Sequence, residues 1–113
     1  MRVRLPLCCG LLAASLLAAS VAVAADPVTA EAHFRAGREA SQRGDHVTAC
    51  ARFAESQKLD PAAGTALNLG DCSEHLGRLA SAWQYYQEAA DRFGADDRAE
   101  VARRKVAELA PRL

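Results

Sequence analysis

The sequence lacks the features that would place it in most functional classes. Its charge has no excess of either sign, with fourteen basic residues against fourteen acidic ones, so it carries no basic footprint for nucleic acid or an anionic membrane surface. No G-x-S-x-G, H-E-x-x-H or glycine-rich phosphate loop occurs, which removes the local patterns of an acyl-transfer nucleophile, a metalloprotease and a nucleotide site. There is no C-x-x-C-H for haem attachment. From Ala30 onward no stretch alternates apolar and polar residues as a half-buried strand would. No second apolar run follows the one near the start. These absences point away from an enzyme, a cofactor protein and a β fold.

What is present begins with a leader. Arg2 and Arg4 precede an uncharged run from Leu5 to Ala25, rich in Leu, Ala and Val, which is the layout of a secretory signal. Ala22 and Ala24 form an A-x-A ending, placing the cut between Ala24 and Ala25, or one residue later before Asp26. The competing reading is an uncleaved anchor, because the run approaches the roughly 20 residues that span a bilayer. Acylation at Cys8 or Cys9 is disfavoured by their place at the start of the run, after Pro6-Leu7 and not after a small residue. The expectation is a signal peptide over 1–25 and a periplasmic or secreted mature domain, with membrane contact only through an uncleaved leader. Removal of the leader leaves 88 residues with a formal charge of about minus two, since the leader holds two basic residues and no acidic one. That is one small domain, near the size where core burial alone is marginal.

The mature part keeps two of the four cysteines, Cys50 and Cys72, and an even pair in an exported protein suggests a disulfide. Apolar and small residues recur at intervals of three and four, so the domain is expected to be all-α. Breakers at Gly44-Asp45, Asp60-Pro61, Gly77 and Gly94 predict helices near 29–42, 46–59, 64–76, 79–92 and 97–109. Gly44 suits a left-handed helix end and Asp45 a cap for the next start. Cys50 lies eleven residues before Pro61 and Cys72 eleven after it, so a hairpin folded about Asp60-Pro61 brings both to one level. A bridge there contributes about 3 kcal/mol through the loop it closes. Two buried free thiols are the alternative.

Set against itself, the chain shows a period of 33: Gly37 recurs as Gly70, Gly44 as Gly77, Ala49 as Ala82, Phe53 as Tyr86, and Pro61 as Gly94. The first unit supplies His33, Ala36-Gly37, Ala40, Ala49-x3-Phe53 and Pro61; the second supplies Ala66, Leu69-Gly70, Ser73, Ala82-x3-Tyr86 and Gly94. The pattern resembles the tetratricopeptide repeat, with His33 and Ala66 where that family places a large aromatic and Ala40 and Ser73 where it places tyrosine. The run from Ala49 to Cys72 is similar to a group of exported bacterial members, which often continue into a β-rich carrier domain; a natural short form and a truncated one both stay open. The resemblance implies a right-handed α-solenoid of two antiparallel hairpins, about 30–61 and 63–95 within 26–95, and a capping helix and tail over 96–113. Phe53 and Tyr86 are expected to fill the space between neighbouring hairpins, with Ala99, Ala102 and Val106 facing the preceding one.

In this family the first helix of each hairpin lines a concave face. By that resemblance Phe34, Arg35, Arg38 and Ser41 project from the first unit, and Leu67, Asn68, Asp71 and Glu74 from the second. Such side chains beside an apolar floor suit a peptide or protein partner. Asn68 matches one position of a carboxylate-binding clamp, but Phe34 and Arg38 replace its other residues, so capture of a chain terminus is not expected. A second expectation is a spacer or self-associating homo-oligomeric stack. A third is zinc held by His46, Cys50, Cys72 and His75, whose count suits the metal, although long helices hinder tetrahedral closure. Cys50 with His75 as base is a further, weaker option that a disulfide would abolish. Trp83 and Tyr85 are candidate partner contacts. No cofactor, metal or nucleic acid is otherwise expected, and no enzymatic activity.

Overall fold

A computed structural model describes residues 2–3 and 24–113. The leader read over 1–25 therefore lies almost wholly outside the described residues. None of the described helices is long and apolar enough to cross a membrane.

Two of the helices start at a capping carboxylate. Asp26 caps α1 (Pro27–Gln42), its carboxylate accepting from the Thr29 amide at 3.1 Å, with proline at the first helical position. Asp45 caps α2 (His46–Leu59) in the same way through the Thr48 amide, also at 3.1 Å. Asp60-Pro61 ends α2, because the residue before proline is forced out of the helical region. Then follow α3 (Ala63–His75), α4 (Leu79–Phe93) and α5 (Arg98–Leu109), closed by a short 3-10 turn, Ala110–Arg112. Among the described residues there is no strand. The domain is all-α.

Two of the turns are alike in detail. Gly44 and Gly77 take φ of 74° and 73°, the left-handed region that a Cβ resists. In the first, the Asp45 amide donates back to the Ala40 carbonyl at 2.9 Å; in the second, the Arg78 amide donates to Ser73 at 2.9 Å. This is the six-to-one bond of a Schellman end, and it recurs after 33 residues.

Consecutive helices pack in antiparallel fashion, α1 with α2 and α3 with α4, while α2 lies against α3 and α5 against α4. The contacts inside the two pairs also repeat. A Cβ built on Gly37 would stand 2.7 Å from the Phe53 ring, and one on Gly70 would stand 2.5 Å from Tyr86. Each ring is therefore seated on the bare backbone of the glycine in its own pair. The expectation from sequence placed the rings between neighbouring pairs and did not include this seat within the pair. They reach across as well: Phe53 shares a buried cluster with Leu69 and Cys72 of α3, and Tyr86 with Leu109 of α5. Ala99 and Ala102 are fully buried against the preceding pair, and Val106 is partly buried there.

The capping carboxylates make the fold sensitive to acid. Hydrogen bonds from Thr29 and Thr48 hold Asp26 and Asp45 below the usual carboxylate range. The Arg98 side chain, bound to Asp96 at 2.7 and 3.0 Å, brings that carboxyl down to about 2. These groups bind a proton less readily in the folded chain than in the unfolded one. Their contribution is complete above the ordinary carboxylate value of about 4 and is lost as pH falls through the lower folded values. Thermal melts followed by circular dichroism should show Tm falling between pH 4 and pH 2, and Asp45→Ala should lower Tm at pH 7 while shrinking that fall.

Candidate functional site

Two depressions border α3. One, of about 190 Å3, lies between α1 and α3 and is bordered by Glu31, Phe34 and Thr65. The other, of about 240 Å3, lies between α3 and α5, where Leu67, Asn68 and Asp71 face Val101 and Lys105 with Tyr86 between them. The second has the chemistry of a recognition site: Leu67, Val101 and the tyrosine ring are apolar, and an amide, a carboxylate and an ammonium surround them.

Of the residues expected from sequence, Phe34 borders the first depression and Leu67, Asn68 and Asp71 the second, while Arg35, Arg38, Ser41 and Glu74 line neither. Asn68 donates from Nδ2 to the Gly64 carbonyl at 2.8 Å, which orients the amide and leaves its carbonyl oxygen for another donor. Asp71 is exposed, 3.7 Å from the His75 imidazole. Glu74 is already engaged, accepting from the Tyr86 hydroxyl at 3.2 Å and from Lys105 Nζ at 3.2 and 3.3 Å. Burial, together with the charges of Glu74 and Asp71, pushes the Tyr86 phenol far above its ordinary value. It stays neutral, as a donor to a carboxylate must. On α1, the Arg38 guanidinium lies 5.9 Å from the centre of the Phe34 ring, within cation–π range. Arg35 pairs with Glu31 at 3.3 Å on an exposed surface, which is worth little. Ser41 is partly buried.

Sequence reasoning missed Val101 and Lys105. A signal for them existed, since Val101 stands 33 residues after Asn68, and Lys105 follows Arg104, the equivalent of Asp71. The pattern of a closing helix implies a buried side and a solvated back, whereas α5 also contributes one wall of the depression.

The cysteine and histidine residues meet elsewhere, between α2 and α3. Cys50 and Cys72 form a disulfide, with Cα atoms 5.6 Å apart, and Cys72 is fully buried. His46 and His75 stack on each other, ring centres 4.0 Å apart and planes within 2°. The four side chains gathered for the zinc alternative are thus neighbours but not ligands: both sulfurs are spent on each other, and parallel rings do not converge on one point. Among the described residues no three His, Cys, Asp or Glu side chains gather as a metal site. The bridge equally removes Cys50 as a nucleophile for His75. Trp83 packs on the cluster of Tyr86 and Leu109, and Tyr85 on that of Phe53 and Leu69.

The chain matches no protein-family model, and no curated protein matches it.

Proposed function

We propose that the chain is an exported, non-catalytic interaction module, a right-handed solenoid of two tetratricopeptide-like hairpins and a capping helix, whose α1–α3–α5 face is concave and receives a peptide segment of a protein partner. The depression between α3 and α5 carries this reading. Its apolar floor of Leu67, Val101 and the Tyr86 ring matches a large apolar side chain, and Asn68, oriented from its own helix, is placed to accept from a peptide amide. The 33-residue repetition of turn and ring contacts supports the tetratricopeptide assignment. The disulfide supports export, because such bonds persist in oxidising compartments.

Photo-crosslinking residues placed at Asn68 and Val101 test the reading in the cell envelope. Adducts with one partner from both positions, and none from Lys58 on the α2 surface, are expected. A separate measurement uses the captured partner: Asn68→Ala and Val101→Asp should each weaken binding about tenfold, or about 1.4 kcal/mol. Tm should barely change, since Val101 is 43% exposed and surface substitutions of this kind are close to neutral. Unchanged affinity in both variants would remove the face from consideration.

A further inference from the structure

The depression between α1 and α3 holds hydrogen-bond donors that the fold leaves unused. Ala62, which precedes α3, makes no side-chain capping bond, so among the described residues the N–H groups of Ala63, Gly64 and Thr65 have no acceptor. Gly64 and Thr65 border the depression, and a Cβ built on Gly64 would meet nothing within 4 Å, which leaves that backbone open to close approach. Two hydroxyls lie there as well. Ser56 Oγ donates to the Ala30 carbonyl at 2.8 Å and is spent. The Thr65 hydroxyl has no partner among the described residues, although Thr65 is only 4% exposed. The side-chain atoms fully enclosed without a partner are His46 Nδ1 and Trp83 Nε1, so the Thr65 hydroxyl keeps an opening, and Thr65 lines this depression.

We infer that this depression is a subsite for an uncharged hydrogen-bond acceptor, a backbone carbonyl of a bound peptide, which accepts from the Thr65 hydroxyl and the free amides at the start of α3. The inference rests on the proposed reading of this side of the molecule as a peptide site and adds where the peptide backbone is held. The start of a helix carries a partial positive charge and favours an oxygen acceptor. Glu31 and Asp60 also border the depression, and their carboxylates disfavour an anion. Arg35 offsets Glu31 only, through an exposed pair at 3.3 Å. A carbonyl therefore fits where a carboxylate does not. Thr65 and Asn68 are three residues apart and so are neighbours on the surface of α3. Their separation along the axis is about 4.5 Å, a step that one or two extended residues cover. A peptide amide that donates to Asn68 thus has a carbonyl within reach of Thr65. Nothing among the described residues uses the Thr65 hydroxyl, so its removal separates binding from folding.

The probe is the capped, neutral peptide acetyl-Ala-Leu-Ala-Ala-amide, added to the nitrogen-15-labelled full chain at up to about 10 mM, beyond the 1 mM that marks weak binding. The Gly64 and Thr65 amide protons should move downfield, as N–H groups do on gaining an acceptor, while Gly77, in the turn beyond the other end of α3, stays in place. Thr65→Val should weaken the response about two- to tenfold, the range for one lost hydrogen bond. Its Tm should not fall, because the hydroxyl has no partner to lose in the free chain. Sodium acetate at the same concentration, set against sodium chloride of equal ionic strength, should leave both amides where they are. The inference is overturned if neither amide moves with the peptide, if Thr65→Val responds as the parent chain does, or if acetate moves both amides as far as the peptide does. A clear fall in Tm for Thr65→Val also overturns it, since the hydroxyl then serves the fold. A peptide that moves the Val101 amide and not that of Thr65 overturns this subsite alone and leaves the reading of the α3–α5 depression standing.

Discussion

Replacing Cys50 and Cys72 together by alanine is expected to lower Tm by about 12–24 °C at neutral pH. The bridge joins residues 22 positions apart, and closing such a loop in the unfolded chain contributes about 3 kcal/mol. In a domain of this size each kcal/mol moves Tm by about 4–8 °C. The position of the bond makes the loss structural as well as entropic. It ties α2 to α3, so it adds a covalent cross-link between the two helix pairs beside the Asp60-Pro61-Ala62 connection, whereas α1–α2 and α3–α4 are each held by a ring seated on a glycine. Loosening is therefore expected first between the pairs, and hydrogen exchange should rise at Leu69 and Ser73 before it rises at Gly37. With Cys72 fully buried and Cys50 8% exposed, a reductant should act slowly on the folded chain and quickly once denaturant is present. Intact mass before and after reduction tests the pairing itself in native material, and an unbridged pair there would weaken both the geometry and the proposed compartment.

Phe53→Ala is expected to cost about 3–5 kcal/mol, with urea melts as the measurement, because the ring is wholly buried between Gly37 and the cluster of Leu69 and Cys72. The complementary substitution fails for the opposite reason. Gly37→Ala and Gly70→Ala each bring a methyl group to within 2.7 and 2.5 Å of a ring. Neither ring has room to retreat, since Phe53 and Tyr86 are 0% and 1% exposed. A net loss of about 1–3 kcal/mol is expected from overpacking, against the gain of about 1 kcal/mol that alanine brings to a helix interior. Gly64 is the internal control. It too lies in a helix, but a Cβ there meets nothing within 4 Å, so Gly64→Ala should leave stability unchanged or raise it. If all three substitutions behave alike, the seating of the rings is wrong.

The contrast between these glycines shows where sequence reading stops. Helix limits were legible to within two residues because the signals act within one turn of chain: Asp45 caps α2, Gly44 supplies the left-handed residue, and Pro61 blocks continuation, whereas the cap at Asp26 went unread and α1 starts two residues earlier than expected. The level of Cys50 with Cys72 followed from counting out from Pro61 in both directions. Whether the sulfurs faced each other did not, since that depends on how α2 and α3 rotate about their axes. The same rotation turned His46 and His75 into a stacked pair where their spacing had suggested ligands. It also brought Glu74, expected to project from the concave face, into contact with Tyr86 and Lys105.

By itself, then, the sequence determined an all-α arrangement of five helices over the described residues, a 33-residue repetition, and a pair of cysteines at a common level. Each of these is written in residues close together along the chain or in a simple count between them. The tertiary structure alone decided that Phe53 and Tyr86 rest on the glycines of their own pairs, that the bridge links one pair to the next, and that α5 forms a wall of the α3 depression. Those outcomes depend on relative rotations and separations of helices far apart in sequence, set jointly by every buried contact between them. A pattern read along one helix shows that a face is buried, and only the packed neighbours determine against what.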